Sequence, residues 1–238
     1  MLYPRADAKI EKFFIFEKNI EAMLRKPKIL LVPIISLLLC SCMGRDLYLE
    51  NYTLAFYKPT SFMTYSSSDG TMVSVYPEKY SHFCFDSEGE ERKEFKRLCE
   101  YYGDVGYDRV DFVSYRKPWR TVLYPDLFKI DVICSTDYDG RHPAGSSLAD
   151  VATLRYCSAY NYVTGGYDSS AMPKEKKVRL SEVAPEDLRM LMNGEDEFYP
   201  YLGFTFPSAI ISGELTFELT FSDGSVLTCT ATFPELQQ

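Results

Sequence analysis

The sequence predicts a mainly β fold, built as a sandwich or a barrel, and three observations support this prediction. The 238 residues include 19 Tyr and 16 Phe, whose flat rings pack well on a pleated sheet and therefore favour strands. Short runs of alternating apolar and polar residues recur along the chain, separated by Gly, Asp and Ser, as is typical of sandwiches and barrels. The regular alternation of strands with helices that indicates a parallel sheet is not visible.

The N-terminal region has the pattern of a secretory signal peptide. Arg25, Lys26 and Lys28 provide a basic segment, and Ile29–Leu39 follows as an apolar run of 11 residues. A membrane-spanning helix needs roughly 20 apolar residues, so this run is too short to span and has the length of a signal peptide. The segment therefore predicts export from the cytoplasm.

The end of the apolar run resembles the lipobox of bacterial lipoproteins. Leu39-Cys40-Ser41-Cys42 has an aliphatic residue, two small residues and then a cysteine, although Cys40 stands where Ala, Ser or Thr is usual. The resemblance implies that residues 1–41 are removed and that Cys42 carries a diacylglycerol and an acylated amine, which together anchor the chain in a membrane. No acidic residue follows Cys42 directly, so the outer membrane is the expected location.

A further stretch, residues 1–22, precedes this signal and has an amphipathic pattern. Because Met23 is a natural start for a signal peptide, we expect translation to begin there rather than at Met1. Residues 1–41 are excluded from the fold prediction in either case. Residues 42–238 are expected to form one domain, which is large enough to hold a core without a metal or disulfides.

The alternating runs of this domain predict a series of strands. The last two are the clearest, because Asp223-Gly224 between them is a typical turn of a two-stranded hairpin. Asp69-Gly70 predicts a second hairpin in the same way. The predicted strands are, in chain order, Leu47–Tyr57, Phe62–Tyr65, Thr71–Tyr76, Tyr80–Phe85, Arg109–Tyr115, Phe128–Cys134, Arg155–Val163, Gly213–Phe221 and Ser225–Phe233.

One clear helix and two short ones are predicted between the strands. Ser87 and Glu90 have the spacing of a capping box, and Gly103 is a typical helix stop. The apolar residues at helical spacing between them are Phe95, Leu98, Cys99 and Tyr102. The short helices are predicted to begin at Ser147 and at Pro185, where a polar cap or a proline favours a helix start.

A second resemblance involves the loop Asp137-Tyr-Asp139-Gly-Arg-His142-Pro-Ala-Gly-Ser-Ser-Leu148. With the lipobox and the tyrosine-rich strands, it resembles small uncharacterised outer-membrane lipoproteins of Bacteroidetes. The closing hairpin resembles the last strands of an immunoglobulin-like sandwich. The resemblance implies a lipid-anchored envelope domain and an immunoglobulin-like β-sandwich with one clear inserted helix and one or two short helices. It implies no particular activity.

The charge of the domain excludes one class of partner. Of 26 basic and 34 acidic residues in the chain, seven basic and four acidic ones lie in the first 42, which leaves a net charge of −11 for the remainder. Nucleic-acid binding rests on a basic surface, so we expect no nucleic-acid partner. The one basic cluster, Lys174–Arg179, is expected to be a water-facing loop or edge strand, where lysine blocks unwanted strand pairing.

The loop that contains Asp137, Asp139 and His142 is the first candidate for a specific site. Two carboxylates separated by one residue can share a hard cation such as Ca²⁺, which takes six to eight oxygen ligands, but no complete calcium loop follows. Asp and Gly are also the residues that form tight turns. Turn formation is therefore the expected role, and no metal or cofactor is predicted.

The other candidate pair is His82 and Cys84, which share one face if this stretch is a strand. A Cys–His dyad or a pair of metal ligands is conceivable, but two ligands do not make a zinc site, and a structural role is expected. The disulfide pattern of the domain stays open. A bond between Cys84 and Cys99 is one alternative, and free buried thiols are the other. The cysteines concerned are Cys84, Cys99, Cys134, Cys157 and Cys229.

The function expected from these residues is non-catalytic binding. His82 and His142 are the only histidines, and no Gly-x-Ser-x-Gly motif marks an activated serine. We therefore expect a domain that binds an unknown protein or glycan partner through loops or a sheet edge. A glycan-binding accessory lipoprotein is the first alternative, and a small exported hydrolase is the second. The tyrosines that would stack on sugar rings, or simply pack across strands, are Tyr156, Tyr160, Tyr162 and Tyr167.

Overall fold

The computed structural model describes residues 45–113, 120–194, 199–210 and 212–233. Cys42 and the predicted signal segment 1–41 lie outside these ranges, so the structure bears only on the predicted exported domain. Contacts group the chain from Arg45 onward into one unit.

Twelve strands and two helices are present in these ranges. The strands are β1 (Arg45–Leu49), β2 (Ala55–Ser66), β3 (Met72–Cys84), β4 (Arg109–Val113), β5 (Thr121–Leu123), β6 (Leu127–Cys134), β7 (Thr153–Ser158), β8 (Lys176–Arg179), β9 (Leu191–Met192), β10 (Leu202–Thr205), β11 (Gly213–Phe221) and β12 (Val226–Phe233). The helices are α1 (Gly89–Tyr102) and α2 (Tyr160–Thr164), with short 3-10 helices at Ser169–Ala171, Leu180–Glu182 and Pro185–Leu188. The prediction of a mainly β fold is confirmed.

The strands form three sheets. β1 and β4 make an antiparallel ribbon, and β12, β11 and β6 make a three-stranded sheet in that order. In the largest sheet, neighbouring strands pair in the order β10, β3, β2, β5, β9 and β7. Because β10 also pairs with β7, these six strands form a closed circuit. β8 adds to β7 outside this circuit. An immunoglobulin-like arrangement of strands is not confirmed.

The length and curvature of the β2–β3 hairpin support this circuit. Its strands have 12 and 13 residues, and their register shifts between Pro59 and Ser61 and again between Ser61 and Phe62. Such irregularities bend and twist a strand pair more strongly. The hairpin replaces three shorter predicted strands, Phe62–Tyr65, Thr71–Tyr76 and Tyr80–Phe85. The predicted strand Leu47–Tyr57 is divided between β1 and β2.

Two hydrophobic cores lie on opposite faces of the largest sheet. The first lies against the three-stranded sheet, where the ring centroids of Phe204 and Phe217 are 4.8 Å apart. The second lies against α1, where Phe56 stacks on Tyr102 at 5.7 Å. Adjacent strand residues point to opposite faces, and accordingly Val122 belongs to the second core and Leu123 to the first.

The closing hairpin and the long helix confirm the clearest local predictions. β11 has the predicted bounds, and Asp223 and Gly224 form the turn before β12, with the Asp223 carboxylate accepting the backbone N–H of Ser225 at 2.9 Å. α1 ends at Gly103, whose φ of 71° is the left-handed conformation that glycine adopts without strain. The predicted apolar residues of α1 are all buried.

The predicted capping box at the start of α1 is wrong. The N-cap is Glu88, and its side chain makes no capping hydrogen bond. Ser87 belongs to the turn that ends β3, where its Oγ accepts the backbone N–H of Cys84 at 3.3 Å. The hydroxyl of Ser87 is therefore bonded within this turn and does not cap the helix.

Three other predicted elements need correction. β7 ends at Ser158, and the rest of the predicted strand Arg155–Val163 is largely α2, because Ser158 Oγ accepts the Tyr160 N–H at 3.2 Å and helps to start a helix. The segment from Ser147 forms a bridge to β6 and a turn instead of a helix. The helix predicted from Pro185 ends after one 3-10 turn, because the following residues pair as β9 with β5 and β7.

Candidate functional site

The loop that carries the predicted site residues connects β6 to β7 and folds back along β6. The backbone N–H of Gly145 donates to the Cys134 carbonyl at 2.8 Å, and that of Leu148 donates to the Val132 carbonyl at 2.7 Å. Leu148 is fully buried in the first core. The second half of the loop is therefore held along β6 by backbone bonds and by an apolar anchor.

The two predicted aspartates are turn residues. Asp137 Oδ1 accepts the backbone N–H of Ala144 at 2.8 Å. Asp139 Oδ1 accepts the backbone N–H groups of Arg141 at 2.7 Å and of His142 at 2.9 Å. Asp side chains commonly cap the backbone of their own turn in this way. The described residues hold no group of three or more His, Cys, Asp or Glu side chains arranged to take a metal ion.

His142 lies between two carboxylates. Its Nδ1 is 2.7 Å from Asp139 Oδ1, and its Nε2 is 2.9 Å from Asp150 Oδ1. The imidazole itself is nearly buried, whereas both carboxylates are partly open to water. The structure thus brings together two of the three predicted site residues, Asp139 and His142, and it adds Asp150, which the sequence analysis did not single out as a site residue.

This arrangement favours the doubly protonated imidazolium. The hydrogen bond to Asp139, and secondarily the one to Asp150, raises the pKa of His142. The backbone N–H of Arg141 and the ring of His142 lower the pKa of Asp139. An imidazolium has no lone pair, so it can neither accept a proton as a general base nor bind a metal ion. In this geometry His142 acts as an electrostatic clamp within the loop.

Tyr138 fastens the same loop to the segment after β10. Its hydroxyl donates to the Ser208 carbonyl at 3.2 Å and lies 3.0 Å from the Ser208 amide, which donates to it. The Tyr138 ring also contacts His142 edge-on, with 6.2 Å between centroids. The loop is therefore connected to one distant part of the chain by Tyr138, a side chain that was not among the predicted site residues.

The second predicted pair, His82 and Cys84, does not form an activated thiol. Burial, with smaller contributions from Asp86 and Glu91, raises the pKa of Cys84 to about 11, so the thiol is protonated at neutral pH. His82 instead contacts the rings of Tyr57 and Tyr80. None of the five cysteines in the described ranges forms a disulfide bond, and four of them are buried.

The structure identifies two buried carboxylates that sequence reasoning missed. Asp104 is fully buried and accepts the backbone N–H groups of Tyr52 and Thr53, each at 2.8 Å, and the Tyr167 hydroxyl at 2.9 Å. The Asn51 side-chain amide donates to its carbonyl. No local motif marks this residue, because its partners lie about fifty and sixty residues away in the chain.

Asp126 is the second buried carboxylate. It accepts from the Tyr102 hydroxyl at 2.9 Å, from the Met190 amide at 2.8 Å and from Arg189 Nε at 3.3 Å. Burial raises its pKa, and these donors oppose the shift. Perturbed carboxylates are often functional, but this one is enclosed by its protein donors and is almost inaccessible to a substrate.

The tyrosines predicted to be available for stacking are mostly internal. Tyr156, Tyr162 and Tyr167 are buried, and Tyr160 lies beneath the guanidinium of Arg189, 3.9 Å from its ring centroid. These tyrosines therefore pack within the protein, as in the second of the two roles considered for them, and are not available for stacking on sugar rings.

Two other aromatic groups are partly exposed, one on each face of the β2–β3 hairpin. We call the first the tyrosine row, which consists of Tyr65, Tyr76 and Tyr201. We call the second the tyrosine stack, which consists of Tyr57, Tyr80 and Tyr199. In the row, Arg155 lies over the Tyr201 ring at 5.2 Å, and Glu175 accepts from the Tyr201 hydroxyl at 2.8 Å.

Comparison with protein-family models, with curated proteins and with solved structures finds no match to this chain. Within the described ranges, neither helix has the length and apolar character that crossing a bilayer requires. The function is therefore inferred from the geometry of the residues themselves.

Proposed function

We propose that this chain is an outer-membrane lipoprotein, anchored through Cys42, whose domain binds another envelope macromolecule without catalysis. The observation that supports the binding part is the tyrosine row, an aromatic strip bordered by Arg155. It runs from Tyr65 on β2 and Tyr76 on β3 to Tyr201, the residue before β10. The preferred partner is a protein. Tyr and Arg are the residues most enriched at the energetic centres of protein interfaces, because each buries a large, fairly rigid surface and keeps a polar end.

The local geometry supports a preformed surface. The centroids of Tyr65 and Tyr76 are 5.7 Å apart, and those of Tyr76 and Tyr201 are 5.9 Å apart. Arg155 and Glu175 hold the buried end of the row at Tyr201. Because these side chains are already ordered by their neighbours, a partner would lose little conformational entropy on binding them.

The state of the two histidines supports a non-catalytic role. His142 is used as a clamp between two carboxylates, and the thiol beside His82 has a raised pKa. Neither arrangement offers the base and activated nucleophile that a hydrolase needs. The hydrolase alternative is therefore the weakest of the three.

Glycan binding is the second candidate, and the tyrosine stack favours it. Tyr57 and Tyr80 lie nearly parallel at 4.3 Å, with Tyr199 beside them at the surface. A flat aromatic surface of this kind can stack on the apolar face of a sugar ring. Quenching or protection of tyrosine fluorescence by added oligosaccharides, lost in Tyr199→Ala, would support this candidate over a protein partner.

The finer fold assignment also stays a proposal. Two sheets packed face to face around the first core support the term β-sandwich. The immunoglobulin-like order of strands has less support, because the largest sheet has the closed circuit described above.

Lipid anchoring can be tested on the chain as the cell makes it. We expect mass spectrometry of the membrane-extracted protein to find an N-terminal Cys42 bearing acyl chains and no peptide from residues 1–41. The Cys42→Ser variant should leave the outer-membrane fraction. Protease treatment of intact cells then distinguishes a surface-exposed domain, which is digested, from a periplasmic one, which is protected until the outer membrane is broken.

The binding surface can be tested by photo-crosslinking in living cells. A photoreactive amino acid replaces Tyr65, which is 61% exposed in the tyrosine row, or Tyr101, which is 59% exposed on α1 and serves as the matched control. We expect one discrete crosslinked product from position 65, lost when Arg155→Ala is added, and none from position 101. Equal products from both positions would contradict the proposal.

A further inference from the structure

The β1–β4 ribbon has two faces of different character. Leu47, Leu49 and Val113 face inward and pack against the second core. Tyr48, Val110 and Phe112 face outward and are 62%, 66% and 55% exposed. Adjacent strand residues alternate between faces, so the ribbon covers the core with one face and presents a second apolar surface to its surroundings.

The three outward side chains form one continuous strip. Tyr48 lies directly opposite Val110 across the ribbon, and Phe112 lies opposite Asp46, diagonally next to Tyr48. Cross-strand and diagonal neighbours of this kind are within reach of one another. Contiguous apolar surface on a domain commonly marks contact with a partner or a membrane.

The position of the strip in the chain indicates its occupant. Only Met43 and Gly44 separate Cys42 from Arg45, the first residue of β1. Three extended residues span at most about 11 Å. A lipid on Cys42 therefore requires the bilayer surface to lie close to the start of this ribbon.

We propose that the strip formed by Tyr48, Val110 and Phe112 rests on the bilayer in which Cys42 is anchored and thereby orients the domain. This inference rests on the proposed lipid anchor. Tyrosine is favoured at membrane interfaces because its ring is apolar and its hydroxyl is polar. Here the Tyr48 hydroxyl donates to Asp108 Oδ1 at 2.8 Å, so the polar end of the ring is satisfied at the edge of the strip.

The charges around the strip favour zwitterionic lipid. Asp46, Glu50 and Asp108 lie beside it with Arg109 as the neighbouring cation, and the chain after residue 42 has a net charge of −11. An acidic domain is repelled by anionic headgroups, so contact depends on the apolar strip and on the anchor rather than on charge attraction.

The test uses a tryptophan placed on the strip of the full, lipidated chain. Trp119, the single tryptophan, is first replaced in Trp119→Phe. Tyr48→Trp then reports on the strip, and Phe128→Trp, at a site that is 57% exposed on β6, is the matched control. Each protein is reconstituted into phosphatidylcholine–phosphatidylethanolamine vesicles with or without lipids brominated along the acyl chains.

We expect brominated lipid to quench the tryptophan at position 48 by about twofold or more, as for an interfacial aromatic residue, and to leave position 128 unchanged. Absence of quenching at position 48 in a chain whose Cys42 is lipidated by mass spectrometry would overturn this inference and leave the anchor intact. A chain without lipid on Cys42 would overturn both. Equal quenching at both positions, or a vesicle-free dimer that protects position 48, would also overturn it.

Discussion

At the scale of single residues, the role of a titratable group depends on how many of its polar atoms already make hydrogen bonds within the protein. The sequence correctly singled out the loop of Asp137, Asp139 and His142 as locally structured, but the chemistry of His142 depends on Asp150, eight residues further along the chain. With one carboxylate a histidine is oriented and keeps a free nitrogen, as in a catalytic triad. With two carboxylates both ring nitrogens are engaged, and the raised pKa favours the protonated form.

The first prediction concerns the pH dependence of this clamp. A pKa raised by folding means that the folded state binds a proton, so the stabilising contribution is full below the ordinary histidine pKa of 6.5 and is lost as the pH rises through the higher folded value. We therefore expect His142→Gln to lower the melting temperature most near pH 5 to 6. The deficit should shrink toward alkaline pH.

Melting curves of both proteins from pH 5 to pH 9 check this expectation. Asp150→Asn is the matched control, because it removes one carboxylate and keeps the histidine and Asp139. It should lower the melting temperature in the same pH range by a smaller amount. A deficit of His142→Gln that grows as the pH rises would contradict the imidazolium assignment.

A second residue-scale prediction concerns Asp104. Asp104→Ala leaves two buried backbone N–H groups without their acceptor and removes the shorter of the two hydrogen bonds of the Tyr167 hydroxyl, which keeps the Val105 carbonyl. Each unsatisfied buried donor costs about 1–3 kcal/mol, so we expect the free energy of unfolding to fall by roughly 3–5 kcal/mol. Urea denaturation measures the change. The exposed Asp46→Ala should change stability by less than about 0.5 kcal/mol, and a similar loss in both variants would contradict the assigned role.

At the scale of elements, local chemistry was predictable and pairing was not. The α1 helix and the β11–β12 hairpin depend on their own residues: apolar spacing, the stop at Gly103 and the Asp223-Gly224 turn. β9 has only two residues, and it is a strand because β5 and β7 lie beside it. The alternation in Arg155–Val163 continued past the true end of β7, because Ser158 starts a helix there.

The end of α1 provides a prediction at this scale. Gly103 has a φ of 71°, and a Cβ at this position would meet no atom within 4 Å. The effect of Gly103→Ala is therefore conformational rather than steric, and we expect a loss of about 1 kcal/mol in the free energy of unfolding. Gly140 is the matched control, because it has the same open surroundings without a positive φ.

Urea denaturation of the two variants distinguishes the explanations. Gly140→Ala should be neutral or slightly stabilising, since alanine reduces the conformational entropy of the unfolded chain. If the two substitutions have equal effects, the left-handed backbone at Gly103 does not contribute to the end of the helix.

At the scale of the whole molecule, the circuit of the largest sheet could not be derived from the sequence pattern. The circuit depends on β10, a strand of four residues that pairs with β3 along one edge and with β7 along the other edge. Gly203 lies at this junction, and a Cβ there would be 2.9 Å from Arg155 Nε. A glycine in a run without clear alternation has no signature that distinguishes a strand junction from a loop.

The absence of disulfides among the described residues leads to the last prediction. Cys99, Cys134, Cys157 and Cys229 are buried as apolar side chains in the two cores, and burial raises the pKa of Cys229 to about 12. Protonated, enclosed thiols react slowly with oxidants and alkylating agents. The domain therefore depends on core packing for its stability, even though the compartment proposed for it permits disulfides.

We accordingly expect reductant to leave the melting temperature unchanged. Iodoacetamide should modify none of these four buried thiols in the native protein, and unfolding without reductant should make all five cysteines after Cys42 reactive, as counted by intact mass. Cys84, which is half-buried at the end of β3, is the one thiol that could react slowly before unfolding. Fewer than five modified cysteines after unfolding would mean that a disulfide forms in the cell, and the side chains around that pair would then have to shift to bring the two sulfurs within bonding distance.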